Sequence, residues 1–152
     1  MERKNILAYI IVIIFFVLAF FLISHPLGGP NIETIKHVKI AGQSVRIDLA
    51  LTDVELARGL SGRTELADGE GMLFVFNRPS KYLFWMKGMN FPIDIIWIGE
   101  NMNVIYIKKD ARPEFYPDTY GPDTNAKYVL EVASGFSEKY NLQTGERVEF
   151  LY

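Results

Sequence analysis

The chain begins with one continuous apolar segment and then changes to short alternating patterns for the rest of its length. Residues 6–23 form a run of 18 apolar or aromatic residues that contains no charge, glycine or proline. Because an α-helix rises about 1.5 Å per residue, a run of this length just crosses a hydrocarbon core of roughly 30 Å. The segment therefore predicts a single transmembrane helix.

The charges beside this run predict its orientation. Arg3 and Lys4 precede the run, and the residues directly after it carry neither Lys nor Arg. Positively charged flanks stay in the cytoplasm, so we expect the N-terminus inside and the rest of the chain outside. A cleaved signal peptide and a secreted product are the alternative, but no small-residue cleavage site follows the run. The predicted domains are a cytoplasmic N-terminus (1–5), an anchor (6–23), a tether (24–35) and an extracytoplasmic domain (36–152).

Beyond the tether, alternation of apolar and polar positions predicts a mainly-β domain. Residues 38–40 and 45–51 alternate with period two, and Ala41-Gly42-Gln43 between them predicts the turn of a hairpin. Turn residues at 77–80 separate two later runs. The later strand-like runs cover residues 72–76, 82–86, 93–98, 104–108, 128–132 and 147–151. Seven or eight strands at this spacing favour a compact β-sandwich or barrel.

Two short helices and one long loop interrupt the strands. Residues 52–55 read Thr-Asp-Val-Glu, which is a capping-box pattern, and Gly59 ends the predicted helix after two turns. A second short helix is predicted over 134–140. Residues 110–127 contain three prolines and three aromatic residues, Phe115, Tyr116 and Tyr120. A loop of this length is either functional or a proline-stiffened cover over a sheet edge.

Composition excludes several classes of function. The formal net charge is −2, and a nucleic-acid partner would require a basic stripe instead. The chain has no cysteine, which excludes thiol catalysis and thiolate metal sites. Its two histidines, His25 and His37, precede the core of the domain, so a His-based metal site or a Ser-His-Asp triad is not expected. We expect neither a metal nor a cofactor.

Residues 84–98 place one cation and one carboxylate inside an almost wholly apolar run. Burying either charge unpaired costs several kcal/mol, so each needs a partner or a solvent-lined cleft. In one interpretation Lys87 and Asp94 belong to a pocket that has Trp85 as its wall. In the other, Asp94 is a structural carboxylate bonded to backbone N–H groups, or to Arg58 or Arg63.

Glu131 is a second isolated acid, within the alternating run 128–132. It shares one face of the predicted strand with Val129. If that face is solvated, Glu131 is an ordinary exposed residue. If it lies under the long loop, Asp94 and Glu131 could form a carboxylate pair that acts as acid and base.

Several linked motifs then resemble one known family. They are Arg58-Gly59-Leu60-Ser61-Gly62-Arg63, Gly71-Met72-Leu73-Phe74-Val75-Phe76, Trp85-Met86-Lys87, Pro92-Ile93-Asp94 and Val129-Leu130-Glu131-Val132-Ala133-Ser134-Gly135. In this order they resemble the uncharacterised family called "domain of unknown function 192", over about residues 36–152. Ser61 and Gly88 depart from the family pattern, which commonly has Met and Asn at these positions.

The resemblance implies a compact, mainly-β domain of sandwich or jelly-roll type, often behind a signal or an anchor. It implies no established activity, substrate or cofactor. The charged or aromatic motif positions that carry over are Arg58, Trp85, Lys87, Asp94 and Glu131.

Three functions compete at this point. The first is a membrane-anchored extracytoplasmic binding module for a cell-surface ligand or partner protein. The second is an accessory subunit of a membrane complex, and the third is a hydrolase or transferase that uses Asp94 with Glu131 or Lys87. The candidate ligand-binding residues are Arg58, Trp85, Lys87, Asp94, Glu131, Tyr116 and Tyr120, and no catalytic residue is assigned.

Overall fold

From residue 37 onward, segments with alternating apolar and polar side chains form strands, and seven of these strands belong to one curled sheet. The computed structural model describes residues 12–17 and 31–152. Residues 12–17 are helical, and the rest of the predicted anchor and most of the tether lie outside the described residues. No helix in the described ranges is long and apolar enough to cross a membrane. A compact unit spans Glu33–Tyr152.

The unit contains nine strands and two short α-helices within its described residues. The strands are β1 (His37–Ile40), β2 (Gln43–Ala50), β3 (Glu70–Ser80), β4 (Phe84–Trp85), β5 (Ile93–Ile98), β6 (Val104–Ala111), β7 (Thr119–Tyr120), β8 (Ala126–Ala133) and β9 (Glu149–Leu151). The helices are α1 (Asp53–Arg58) and α2 (Phe136–Lys139), and two 3₁₀ turns span Ile32–Thr34 and Pro113–Phe115.

Seven strands form the main sheet, in the order β6-β5-β8-β3-β2-β1-β9. Strands β2 and β3 are parallel, and the other neighbours in this sheet are antiparallel. A parallel pair needs a crossover connection, which the segment containing α1 supplies. Strands β4 and β7 form a separate two-stranded ribbon.

The sheet curls until its two ends approach each other. Just before β6, Asn103 bridges Arg147, which lies just before β9. The backbone N–H of Val148 donates to the Met102 carbonyl (2.8 Å) at the same place. The result is a half-barrel with few short helices, so the mainly-β prediction is confirmed.

Turn chemistry explains the β1–β2 hairpin. Ile40 pairs with Gln43, which leaves Ala41 and Gly42 as a two-residue turn. Both turn residues have positive φ (48° and 72°), as a type I′ turn requires.

The structure differs from the prediction at one predicted turn and one predicted loop. Strand β3 continues to Ser80, through the turn predicted at 77–80. The pairing of β3 with β8 changes register between Val75 and Ser80. Pro79, which cannot donate a backbone hydrogen bond, therefore lies where the pairing is already interrupted. The predicted loop at 110–127 contains β7, which pairs with β4 (Phe84 with Tyr120). Both differences arise because long-range pairing, which local composition does not encode, decides where a strand ends.

The central strands bury side chains on both faces. On β5, all six residues are buried. Ile96 and Ile98 belong to a first core with Val38 and Leu130, on one face of the sheet. The intervening residues of β5 belong to a second core on the other face, with members such as Phe74, Ile95, Trp97 and Val129. Because side chains alternate in this way, the strand positions of Asp94 and Glu131 decide which face of the sheet each one occupies.

Candidate functional site

Asp94 is fully buried, and its carboxylate accepts hydrogen bonds from other segments of the chain. It is 0% exposed. One carboxylate oxygen accepts from the backbone N–H of Asp110 (2.9 Å) and of Gly135 (3.3 Å), and the other accepts from Ser137 N–H (2.8 Å). Because these donors lie at the end of β6 and at the start of α2, Asp94 joins three segments. Its oxygens face backbone N–H groups, and neither Arg58 nor Arg63 bonds to it.

Asp94 and Glu131 lie on opposite faces of the sheet. Asp94 alternates with Ile96 of the first core. Glu131 is directly opposite Ile95, which belongs to the second core. Since cross-strand partners project to the same face, Glu131 projects into the second core. The two carboxylates therefore do not share a cleft.

Glu131 lines a cavity of about 280 Å³. Most of the other lining side chains are apolar, and five of them are aromatic. The aromatic lining consists of Phe74, Phe76, Tyr82, Phe84 and Trp85. Arg58 and Gly59, at the end of α1, also line the cavity. An apolar cavity with a few polar groups is the usual form of a small-molecule site.

The end of α1 is set by its capping box and by Gly59. Thr52 Oγ1 accepts from Glu55 N–H, and Glu55 Oε2 accepts from Thr52 N–H (2.9 Å). Gly59 has φ of 52°, and a Cβ there would lie 3.1 Å from Phe74 Cζ and 3.8 Å from Glu131 Oε2. A side chain at position 59 would therefore strain the backbone and crowd the cavity beside Glu131.

The β3–β4 connection holds the aromatic lining in place. Trp97 Nε1 donates to the Tyr82 carbonyl (2.8 Å), which ties this connection to β5. The rings of Phe76 and Tyr82 stack, and Phe84 meets Phe74 edge to face with centroids 4.9 Å apart. The aromatic side of the cavity is therefore rigidly packed.

Burial controls the ionisation of Glu131. The residue is 4% exposed, and Oε2 has no hydrogen-bond partner within the part of the chain that the structure describes. Burial raises the pKa of Glu131 to about 8, and the positive charge of Arg63 opposes this shift. Arg63 is itself paired with Asp48 (2.7 Å). The carboxyl is therefore mostly protonated at pH 7.

Trp85 connects the cavity to the surface. It lines the cavity but is 50% exposed. The Lys87 ammonium lies 5.5 Å from its ring centroid, and the Tyr116 ring lies 5.9 Å from it, nearly edge to face. Lys87 and Tyr116 are outside the cavity lining. Together with Trp85 they form a mixed aromatic and basic surface beside the cavity.

Tyr120 has a different setting from Tyr116. It pairs with Phe84 in the β4–β7 ribbon and packs against the second core. Lys108 Nζ lies 4.8 Å from its ring centroid. Of the seven candidate residues, the structure brings three into the cavity lining, namely Arg58, Trp85 and Glu131.

Sequence reasoning missed the contribution of β3 to the cavity. Phe74 and Phe76 lie two residues apart on β3 and both line it. This i, i+2 aromatic pair was a visible signal, but its face could not be assigned without the pairing of β3. Within residues 12–17 and 31–152 no group of three or more potential His, Asp or Glu ligands is placed to hold a metal ion.

The two positions that depart from the family pattern contact each other. A Cβ at Gly88 would lie 3.3 Å from Ser61 Cβ. Ser61 Oγ donates to the Lys87 carbonyl (2.8 Å), and Gly62 N–H donates to the Gly88 carbonyl (2.9 Å). Gly88 has φ of 68°, a conformation that glycine adopts freely and Asn tolerates. The two departures therefore lie in two turns that hydrogen-bond to each other.

Comparisons with known proteins support the same family. The family DUF192, described as "Uncharacterized ACR", matches residues 36–150, which confirms the resemblance. A crystal structure of a protein of unknown function from Novosphingobium aromaticivorans is 34% identical, with a TM-score of 0.72, and the match covers 82% of this chain and 89% of that one. No curated protein matches the chain.

A second solved structure has the same fold. It is the structure of a protein from Sinorhizobium meliloti that is proposed to be a transcription regulator. The two sequences are 25% identical, and the TM-score is 0.70. The match covers 75% of this chain and 90% of that chain.

Removal of the Asp94 carboxylate is expected to destabilise the fold. Asp94→Ala leaves three backbone N–H groups without their acceptor, and hydrogen bonds to charged groups contribute about 1.5–3 kcal/mol each. We expect the free energy of unfolding, measured by urea titration, to fall by about 3 kcal/mol or more. Asp123→Ala, at an exposed position, is the control and should change it by less than about 0.5 kcal/mol. Equal effects of the two substitutions would contradict this role.

Glu131 is expected to make stability decrease as pH rises. The unfolded side chain loses its proton near 4.5 and the folded one near 8, so the folded state binds one more proton between these values. The free energy of unfolding should therefore fall by roughly 1 kcal/mol per pH unit between pH 5 and 8. Urea titrations at several pH values should show this slope in wild type and in exposed Glu100→Gln, but not in Glu131→Gln. A slope retained by Glu131→Gln would refute the assignment.

Proposed function

This chain belongs to the DUF192 family, and we propose that it is a membrane-anchored extracytoplasmic binding module. The proposed site is the cavity lined by Glu131. A small ligand would lie among the aromatic side chains and would meet the Glu131 carboxyl at its inner end.

The unpartnered carboxyl of Glu131 is the observation that carries this proposal. Leaving a buried polar group unsatisfied costs about 1–3 kcal/mol, and native proteins rarely keep such a group without a use for it. Glu131 Oε2 has no partner within the described residues, and the residue lines the cavity. A bound ligand that supplies a hydrogen bond to Oε2 would remove this cost.

The rim of the cavity supports ligand access. Leu83 (63% exposed) and Trp85 both line the cavity and reach the surface. Arg58 is exposed at the end of α1, where it lines the same cavity. Exposed apolar side chains beside a cavity are typical of ligand or partner recognition.

A protein partner at this rim is the second candidate function. Leu83, Trp85, Phe115 and Tyr116 are all large and exposed, and Tyr116 contacts Trp85. Such a surface suits an accessory subunit that docks on another protein. The enzyme hypothesis has less support, because Asp94 has its oxygens occupied on the opposite face from Glu131. Lys87 is exposed, whereas Asp94 is fully buried.

The location outside the cytoplasm rests on the sequence. The apolar run at 6–23 and the preceding Arg3 and Lys4 support an anchor whose C-terminal side is outside. The net charge of −2 gives no support to a nucleic-acid partner.

Ligand binding in the cavity is expected to be detectable through Trp85. The chain has two tryptophans, and Trp97 is fully buried, so a ligand should change mainly the emission of Trp85. A small-molecule screen by thermal shift on the full chain should yield ligands whose fluorescence signal disappears in Trp85→Phe.

A cavity-blocking variant tests the same proposal. Ala57 lines the cavity, and Ala57→Trp should weaken every such ligand by about tenfold or more, because the indole occupies its mouth. Ala67→Trp, at an exposed position outside the lining, is the matched control and should bind normally. Ligands that bind Ala57→Trp as tightly as wild type would place binding elsewhere.

The proposed topology is testable by cysteine labelling, because the natural chain contains no cysteine. In intact cells, a membrane-impermeant maleimide should label Glu65→Cys, and it should label Glu2→Cys only after lysis. Labelling of Glu2→Cys alone would overturn the proposed orientation. Labelled Glu65→Cys in the soluble rather than the membrane fraction would instead indicate a cleaved segment.

A further inference from the structure

The cavity lining contains a cation that has no ion-pair partner. Arg58 lines the cavity at the end of α1 and is exposed. None of the described residues forms a hydrogen bond or an ion pair with its guanidinium. By contrast, Arg46, Arg63 and Arg112 are each paired with a carboxylate. The Arg58 guanidinium is therefore available to a ligand.

The acidic residue that lies one turn before Arg58 is already engaged. Glu55 Oε2 accepts from the backbone N–H groups of Leu51 (3.0 Å) and Thr52 (2.9 Å). These hydrogen bonds lower the pKa of Glu55 more than the charge of Arg58 does. The capping box therefore holds Glu55 at the start of the helix and leaves the guanidinium at the other end unpaired.

The balance of charge in and beside the cavity is positive near neutral pH. Among the described residues that line it, Arg58 and Glu131 can be charged at this pH. Burial raises the pKa of Glu131 to about 8, against the opposing charge of Arg63, so its carboxyl is mostly neutral at pH 7. Lys87 Nζ lies 5.5 Å from the ring centroid of Trp85, which lines the cavity. These positive charges attract an anionic ligand and repel a cationic one.

The rest of the lining is mainly apolar and aromatic. The rings of Phe74 and Phe76 each meet Phe84 edge to face, with centroids 4.9 and 6.4 Å apart. The two hydroxyl groups of the lining are used within the protein, because Ser61 Oγ and Tyr82 Oη donate to backbone carbonyls (2.8 and 2.6 Å). The interior therefore suits the hydrocarbon part of a ligand.

From these contacts we infer that the cavity binds an amphipathic carboxylic acid, whose carboxylate pairs with the Arg58 guanidinium and whose alkyl or aryl body packs among the aromatic rings. The inference rests on the proposed binding function and specifies its ligand chemistry. A guanidinium presents a planar fork of N–H donors that matches a carboxylate. One guanidinium balances one negative charge, so a monoanion fits better than a phosphate dianion. The cavity of about 280 Å³ suits a small acid rather than a polymer.

Three probes with the same carbon skeleton test this inference, namely 3-phenylpropanoate, 3-phenylpropan-1-ol and 3-phenylpropylamine. Isothermal titration of the full chain at pH 7 measures the affinity of each. The acid should bind about fivefold more tightly than the alcohol or the amine, because Arg58 forms a charged pair at a partly exposed site. At about 1 M salt, where the Debye length is about 3 Å, this preference should fall below about twofold.

Substitution of Arg58 separates this site from general partitioning of the probes. Arg58→Gln should lose the preference for the acid, whereas its affinity for the alcohol should change little. Arg58→Lys keeps the charge without the fork of donors, so it should retain part of the preference. Arg147→Gln, at an exposed position outside the lining, is the matched control and should behave as wild type.

The outcomes separate this inference from the proposed function. If the alcohol or the amine binds at least as tightly as the acid and Ala57→Trp blocks it, the cavity remains a binding site but the inference is wrong. A preference for the acid that survives in Arg58→Gln also overturns the inference. If none of the three probes binds while the small-molecule screen yields cavity ligands, the inference alone fails. If the screen yields none as well, both the inference and the proposed function fail.

Discussion

Burial of both faces of the central strands is the constraint on which the rest of this structure depends. On β5 all six side chains are buried, and its neighbour β8 is buried over Val129–Val132. Any carboxylate on these strands must therefore find partners inside the protein or remain protonated. Asp94 accepts hydrogen bonds from three backbone N–H groups, whereas burial favours the protonated form of Glu131.

The two acids have opposite effects on the fold. Asp94 accepts three backbone N–H groups, so it compensates its own desolvation and holds the end of β6 beside the start of α2. Glu131 has no partner for Oε2 among the described residues, and its burial favours the neutral form. A buried carboxyl without a partner costs stability, and this cost supports the proposed binding role of the cavity that Glu131 lines.

Local chemistry was sufficient to predict several elements. The β1–β2 hairpin follows from the alternation on both sides of Ala41-Gly42, and the start of α1 follows from the Thr52–Glu55 capping box. The apolar run over Ile93–Ile98 predicts β5 with its observed bounds. In each case the deciding interaction joins residues that are close in sequence. Strand β7 was missed because its pairing with β4 is long-range and its two residues show no pattern of their own.

The sequence by itself determined the mainly-β class, the family and the short list of isolated charges, because alternation, turn residues and linked motifs are local properties. Only the tertiary structure decided which charges share a site. Asp94 and Glu131 sit on adjacent strands one register step apart, and a side-chain period of two sends them to opposite faces. The cavity also requires the aromatic residues of β3, which reach it through pairing with β8 and through the crossover that contains α1. Register and crossover geometry are set by the packing of the whole sheet, so local pattern did not reveal the site.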